Sequence, residues 1–185
     1  MNCVNNPPMQ DFAQAFVLAF ELVFSGDADL IEIIVLSLRV SLTAMVVACV
    51  LGLPLGAILA VTRFPGRRTA IVMINALMGL PPVVVGLIVY LHLSRAGPMG
   101  SFGLLYTPTA MIIAQVILIM PIIAALSRQV LEDLNTEYAE QFRSLSVPRR
   151  TAIVALIWDA RYSLMTVALA GFGRAIAEVG AVIIV

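Results

Sequence analysis

Residues 30–62 form an apolar run that is interrupted by charge only at Glu32 and Arg39. As an α-helix this run would be about 48 Å long at 1.5 Å per residue, whereas the hydrocarbon core of a bilayer is about 30 Å thick. Over the whole chain 61% of the residues are hydrophobic and 12% are charged, against about 25% charged residues in soluble domains. The sequence therefore predicts an integral membrane protein and excludes a nucleic-acid module, a disulfide scaffold and a disordered tail.

Four apolar stretches are long enough to cross a membrane as helices, so we predict an all-α, polytopic fold with about four transmembrane helices. The first helix exceeds the bilayer thickness and must tilt, protrude or kink. Its predicted kink site is the Gly-Leu-Pro-Leu-Gly segment at residues 52–56. The four predicted spans cover residues 30–62, 69–93, 108–126 and 162–185.

The first 29 residues predict a leader and a short amphipathic helix that does not cross the membrane. At about 14 residues, the helix is too short for a span. We assign residues 1–29 to this segment and residues 30–185 to a transmembrane domain. The chain stops on apolar sequence at Val185, and we expect it to lack a fifth helix. The short helix carries a phenylalanine at every fourth position, on one face: Phe12, Phe16, Phe20 and Phe24.

The arginines predict the orientation, because cytoplasmic loops of membrane proteins carry an excess of Lys and Arg. All basic residues of this chain are Arg, and its net charge is zero. Three of them lie in residues 63–68 and five in residues 128–161, whereas residues 94–107 hold Arg95 alone. We predict that residues 63–68 and 128–161 lie in the cytoplasm and that the amino terminus lies outside.

An apolar stripe in residues 128–150 predicts one amphipathic helix in the cytoplasmic segment, which Ser146-Val147-Pro148 breaks before Arg149. This helix either rests on the membrane surface or projects as a coupling helix that engages a cytoplasmic partner. Acidic residues on its polar face favour the coupling helix, because helices that bind lipid surfaces are rich in Lys and Arg. The stripe has spacings of three and four and consists of Leu131, Leu134, Tyr138, Phe142 and Leu145.

In this segment the sequence resembles the permease subunits of ABC importers, whose cytoplasmic loop carries a Glu-Ala-Ala stretch followed by Gly. Residues 140–146 read EQFRSLS in the corresponding place. Ser146 stands where the family has Gly, which weakens the expected turn, and Pro148 offers a substitute break. The Pro that the family carries further along the loop is absent here.

Three further segments resemble the oxyanion branch of these permeases, which imports molybdate, tungstate or sulfate. Residues 171–181 read GFGRAIAEVGA, and residues 80–87 (LPPVVVGL) and 105–111 (LYTPTAM) are similar to the tungstate-type members. The resemblance implies the permease of an ATP-driven importer for tungstate or molybdate, in the inner membrane of a prokaryotic cell. A secondary transporter or channel that works without an ATPase is the alternative function.

The resemblance also implies partners: a second copy of this chain, a cytoplasmic ATPase subunit and an extracytoplasmic substrate-binding protein. ATP and Mg²⁺ would be used by the ATPase subunit, because this chain has no Lys and hence no phosphate-binding Gly-Lys-Ser/Thr loop. A single His offers no metal site, so we expect no enzyme activity, metal or cofactor in this chain. The residues expected to contact the ATPase are Glu137, Ala139, Glu140, Phe142, Arg143, Leu145 and Ser146.

The last predicted span carries two charges, Arg174 and Glu178, which lie four residues apart and therefore share a helical face. Charged side chains inside a membrane are paired or face water, so the two form either a structural ion pair or part of a gate. Beside them, a ridge of small residues predicts close helix packing. The ridge comprises Gly173, Ala177 and Ala181.

Pro81 and Pro82 remove two amide donors from the second predicted span. The pair produces either a simple kink or a second helix start. In the second case the free N–H groups of residues 83–85 would form a positive helix end that suits an anion. The candidate pathway residues are therefore Pro81, Pro82, Val83, Gly86, Arg174 and Glu178.

Overall fold

The computed structural model describes residues 28–95 and 97–182, and the regular structure within them is helical. The predicted leader and its short helix lie outside the described residues. Among the described residues, 28–38 belong to a separate unit and are helical. The packing below is that of residues 39–182. In chain order the elements are α1 (Ala28–Val61), α2 (Arg67–Met78), α3 (Pro82–Leu93), a 3₁₀ helix (Gly100–Phe102), α4 (Pro108–Glu137), α5 (Ala139–Ser144), α6 (Arg149–Asp159) and α7 (Arg161–Val182).

Helices α1 and α4 are each long and apolar enough to cross a membrane. Two further pairs qualify only as bent spans: α2 with α3, bent by 99°, and residues 150–159 with 161–178, bent by 72°. The described residues therefore supply two to four spans, which agrees with an all-α membrane protein. The predicted second span is not one helix, and the helix that contains the predicted third span continues past residue 126 to Glu137.

Helix α4 is the central helix, because its residues contribute to each of the three apolar clusters. Ala110 and Ala114 pack with α3, and Ile119 and Ile123 pack with α1 and α7. Near its carboxyl end, Leu131 packs with α1, α6 and α7. Any displacement of α4 must therefore disturb all four of these neighbours.

A stripe of small residues lets α1 approach α4 closely. A Cβ atom on Gly52 would stand 3.0 Å from Ile123 Cγ2, and one on Gly56 would overlap the Ser127 hydroxyl. Only residues without bulk permit two helix backbones to approach this closely. The stripe recurs at every fourth residue of α1 and is buried throughout: Ala44, Ala48, Gly52, Gly56 and Ala60.

The two glycines therefore serve helix contact, whereas the sequence had suggested a kink at residues 52–56. Helix α1 is continuous through Pro54. Proline costs one backbone hydrogen bond in a helix interior, and membrane helices tolerate this loss because local adjustments satisfy the freed groups.

The chain breaks between α2 and α3, as the prediction of a second helix start requires, and a simple kink is excluded. Pro81 is extended (φ −64°, ψ 134°), and α3 begins at Pro82. The predicted set of three free amides is nevertheless wrong. The N–H groups of Val84 and Val85 both donate to the Pro81 carbonyl, at 3.0 and 3.3 Å, because the extended proline directs its C=O along the first helical turn.

The prediction of one amphipathic helix up to Leu145 was wrong, whereas the predicted break at Ser146-Val147-Pro148, before Arg149, is confirmed. Residues 128–137 complete α4, α5 follows after Tyr138, and α6 begins at Arg149. The apolar stripe still predicts correctly which side chains pack against the core over most of its length. Leu131 is buried, and Leu134, Tyr138 and Phe142 pack against the same cluster. Leu145 departs from the stripe and is 75% exposed, because the chain turns after α5.

We predict that Gly56→Ala lowers the free energy of unfolding by about 1–3 kcal/mol. The added methyl group would overlap Ser127 Oγ and stand 2.8 Å from the Ala124 carbonyl oxygen. Unfolding of the purified chain by SDS from a mild detergent measures the change. Gly173→Ala is the matched control, because nothing lies within 4 Å of its new methyl group. An equal loss in both variants would contradict the close contact.

Candidate functional site

The short helix α5 exposes charged and apolar side chains on one side, and the segment packs against the core on the other. Its anchors are Tyr138 and Phe142, whose ring centroids lie 5.9 Å apart and which pack against the cluster around Leu131 and Leu156. A six-residue helix is too short to be stable alone, so these anchors hold it in place. The predicted ATPase-contact residues that remain exposed are Glu137, Glu140, Arg143, Leu145 and Ser146, whereas Ala139 and Phe142 are half-buried.

Ser146 makes the turn that ends α5. Its φ is 50°, and its N–H donates to the Arg143 carbonyl at 3.2 Å. The N–H of Val147 donates to the Phe142 carbonyl at 3.0 Å. These two bonds form a Schellman motif, in which the left-handed position is usually Gly. Replacement of the family's Gly by Ser146 therefore preserves the sharp turn, and Pro148 instead precedes the first residue of α6.

A hydrogen bond ties the start of α5 to the end of α6. The Tyr138 hydroxyl donates to Asp159 Oδ2 at 3.0 Å, across 21 positions of sequence. The hydrogen bond and the carboxylate charge of Asp159 raise the pKa of Tyr138, because the ionised phenol would lose its donor and face a negative charge. Sequence reasoning missed Asp159, since spacing does not indicate a contact with a residue so distant in sequence.

Three charged side chains join α1, α2 and α4 close to this segment. Arg67 Nη2 donates to Glu132 Oε1 at 2.8 Å, and Arg67 Nε donates to the Leu59 carbonyl at 2.7 Å. Arg128 Nη1 pairs with the other carboxylate oxygen, Oε2. The spacing of four between Arg128 and Glu132 indicates their pairing, but the partnership with Arg67 has no signal in the sequence.

Arg174 and Glu178 form an ion pair on α7, between Nε and Oε1. The Glu178 side chain is 13% exposed and that of Arg174 is 43% exposed. The carboxylate is thus the more enclosed charge, and it depends on the guanidinium for neutralisation.

The small residues of α7 pack differently from the predicted ridge. Gly171 and Ala175 are buried against α4, and a Cβ atom on Gly171 would stand 3.0 Å from Ile119 Cγ2. Gly173 and Ala177 are exposed within this chain. Two residues along a helix correspond to a rotation of about 200°, which separates the two sets. The side chain of Ala181 lies outside the described part.

The remaining pathway candidates lie on α3, which packs against both α4 and α7. Gly86 is buried and Val83 is exposed, while Pro81 and Pro82 form the break itself. The candidates in residues 81–86 and the pair of Arg174 and Glu178 therefore belong to two neighbouring helices, α3 and α7. Among the described residues, the hydrogen bonds and ion pairs of Arg174 and Glu178 do not extend to residues 81–86.

Comparison with known proteins identifies the family. The family described as binding-protein-dependent transport system inner membrane component matches residues 52–183. The tungstate uptake system permease protein TupB of Peptoclostridium acidaminophilum is 38% identical over 96% of this chain and 78% of its own length. The protein of the same name from Campylobacter jejuni is 35% identical over 92% of this chain and 71% of its own length.

A sulfate transport system permease protein, CysW of Synechocystis, is 26% identical over 97% of this chain and 68% of its own length. The resemblance drawn from residues 140–146 and 171–181 is therefore confirmed. The chain belongs to the family of binding-protein-dependent transport system inner membrane components, and it is the permease subunit of an ABC importer.

Proposed function

We propose that this chain forms the membrane pathway of an ATP-driven importer for tungstate or molybdate. The named relatives support this substrate, since the tungstate permeases are 35–38% identical to this chain over the aligned residues and the sulfate permease is 26% identical. The structural observation that carries the proposal is α5, a short helix that packs against the core on one side and exposes charged side chains on the other. A short helix that is held by contacts with the core and exposes charged side chains is suited to receive force from a partner protein.

In this proposal the ATPase subunit docks on α5 and supplies the ATP and Mg²⁺ chemistry. Glu140, Arg143 and Leu145 offer one acid, one base and one apolar group for contact. Phe142 is half-buried against the core, so its role is to support α5. Ser146 sets the direction in which the chain leaves the docking surface.

The proposed orientation places the α5 side of the molecule in the cytoplasm and the amino terminus outside. The arginine distribution supports it, because α5 contains Arg143 and is flanked by Arg128 and Arg150. The substrate-binding protein would then meet the opposite side. A second copy of the chain would complete the pathway, and the exposed Gly173 and Ala177 of α7 offer it a surface that permits close approach.

The ion pair of α7 has a role that follows from the charge of the substrate. An unpaired carboxylate near the pathway would repel a divalent oxyanion, with an energy that rises as the local dielectric constant falls. Arg174 cancels this charge at Glu178. We therefore assign the pair to keeping this part of α7 electrically neutral, so that it can line a route for anions.

We predict that Glu140→Arg abolishes coupled transport, because it reverses the charge at the centre of the proposed docking surface. Affinity for the ATPase should fall by at least about ten-fold, as for other interfacial charge pairs. The measurement is ATP-dependent tungstate uptake into vesicles that hold the full complex, with sulfate as competitor. Gln141→Arg, an exposed neighbour, is the control and should retain uptake. Wild-type uptake by Glu140→Arg would refute the docking site, and no ATP-dependent tungstate uptake by the wild type would refute the function.

We predict that Ser146→Gly stabilises the end of α5 by about 1 kcal/mol, because Gly adopts the left-handed conformation without steric cost. Hydrogen exchange of the Val147 amide, which donates to Phe142, should slow about five-fold. Ser144→Gly is the matched control. Ser144 is helical and its hydroxyl donates to the Glu140 carbonyl at 2.9 Å, so this change should accelerate exchange. Changes of the same sign in both variants would contradict the assignment.

We predict that Arg174→Ala destabilises the chain more than Glu178→Ala does, because it leaves the more enclosed charge without a partner. The double variant should lose less free energy of unfolding than the two single variants lose in sum, and the difference, the coupling energy, should be about 1–3 kcal/mol. Unfolding of the four proteins of this cycle in detergent measures the coupling. Additive losses would show that the two side chains act independently.

A further inference from the structure

An open cavity lies at the end of α4 that is opposite to α5, where the loop of residues 94–107 joins α3 to α4. Helix α4 begins directly after this loop, and α5 follows its other end, about 45 Å away at 1.5 Å per residue. The cavity has a volume of about 510 Å³, and we call it the loop cavity. The side chains that line it include Tyr90, Leu93, Ser94, Arg95, Leu105 and Tyr106.

Hydrogen bonds within the loop hold the wall of the loop cavity in place. The N–H groups of Gly97 and Gly100 donate to the carbonyls of Ser94 and Gly97, at 2.8 and 3.1 Å. The N–H and the hydroxyl of Thr107 both donate to the Leu104 carbonyl, at 3.2 and 2.6 Å. Because these bonds fix both halves of the loop, the cavity is formed before a ligand enters, and binding loses little conformational entropy.

Tyr106 adopts a backbone conformation that its own chain does not reward. Its φ is 63°, in the left-handed region that disfavours a bulky side chain. Tyr106 is also 74% exposed, so burial of the ring within this chain does not compensate for the strain. Backbone strain of this kind is concentrated at binding and active sites, and here it holds an aromatic ring at the rim of the loop cavity.

Arg95 gives the loop cavity its charge. It is exposed, and it forms no ion pair with another described residue. It is the only charged residue of the loop, so the loop itself supplies no carboxylate to balance it. Tyr90 and Tyr106 carry hydroxyl groups, which can donate hydrogen bonds to an anion. The lining therefore suits a negatively charged group.

We propose that the loop cavity receives an acidic side chain of the substrate-binding protein when that protein docks on this end of the permease. Leu93, Leu105 and the tyrosine rings match the apolar stem of such a side chain, and Arg95 matches its carboxylate. Tyr and Arg are also the residue types that supply much of the binding energy at protein interfaces. A tetrahedral oxyanion has the volume of only a few water molecules, about 30 Å³ each, and would fill only a small part of the cavity.

A second copy of this chain is a poorer occupant, because its own loop carries the same single charge. In a symmetric dimer the same surface patch of each copy meets, so two Arg95 side chains would approach and repel each other. The docking of an acidic partner rests on the proposed function, since it requires an importer that uses a binding protein and a loop that faces outside.

The test measures binding of the purified, tungstate-loaded binding protein to the complete importer in lipid nanodiscs. Arg95→Gln should weaken this binding at least about ten-fold, because it leaves the partner's carboxylate without its cation. Ser101→Glu is the matched control. It lowers the net charge of the same loop by the same amount, at an exposed residue outside the cavity lining, and should change the affinity by less than about two-fold, since exposed charges are screened. ATP hydrolysis without the binding protein should be unchanged in both variants, which shows that they are folded and assembled.

Two further variants test the chemistry of the occupant. Tyr106→Asn removes the ring and keeps the turn, because Asn tolerates the left-handed conformation, and it should weaken binding about ten-fold. Arg95→Asp reverses the charge and should abolish binding. Exposed acidic residues of the binding protein are then changed to Lys one at a time, and one of these changes should restore binding to Arg95→Asp while it weakens binding to the wild type.

Several outcomes would overturn the docking of an acidic side chain. Wild-type affinity in Arg95→Gln, with ATP-dependent tungstate uptake intact, would refute this docking and leave the proposed function standing. An equal loss in Arg95→Gln and Ser101→Glu would assign the effect to the overall charge of the loop. Failure of every acid-to-Lys change to restore binding to Arg95→Asp would show that no carboxylate of the partner enters the cavity. Loss of uptake in Arg95→Gln at saturating binding protein would assign the cavity to the route of the anion. Absence of binding by the wild-type importer would refute the proposed function as well.

Discussion

The close contact between α1 and α4 is the constraint on which the remaining structure depends. In a bilayer there is little hydrophobic driving force between helices, so stability comes from van der Waals contact over backbones that approach closely. Gly52 and Gly56 provide this approach on α1, and Gly171 does so on α7, both against Ile123 and its neighbours on α4. Because α4 is thus held on both sides, its carboxyl end is a firm base for the segment that follows.

Helix α5 is connected to this base by contacts that also reach the last span. Phe142 packs against the cluster that contains Leu156 and Leu164, and Tyr138 bonds to Asp159. A force on α5 is therefore resisted by α4 and transmitted to α6 and α7. Arg67 and Glu132 extend the connection to α1 and α2. Under the proposed docking on α5, these contacts would connect a helix of six residues to several other helices together.

Charge is sparse in this chain, and where it occurs it is mostly paired or at the surface. Glu132 is shared by two arginines, and Glu178 is neutralised by Arg174. Such pairing is needed because an isolated charge in a membrane costs several kcal/mol. Arg161 differs, since aromatic rings contact it instead of a carboxylate.

Local patterns in the sequence determined the membrane class, the helical architecture, the family and the partnership of Arg174 with Glu178, because hydropathy and spacing along a helix depend only on near neighbours. The turn at Ser146 could also be recognised from the sequence, because Ser146 stands where the permease family has Gly. Only the tertiary structure decided that Gly52 and Gly56 serve contact, that Gly171 packs where Gly173 does not, and that residues 128–144 divide between α4 and α5. It alone joined Arg67 to Glu132, 65 residues away. These features depend on the rotation of each helix about its axis and on which helices become neighbours, and neither is encoded in the spacing within a single segment.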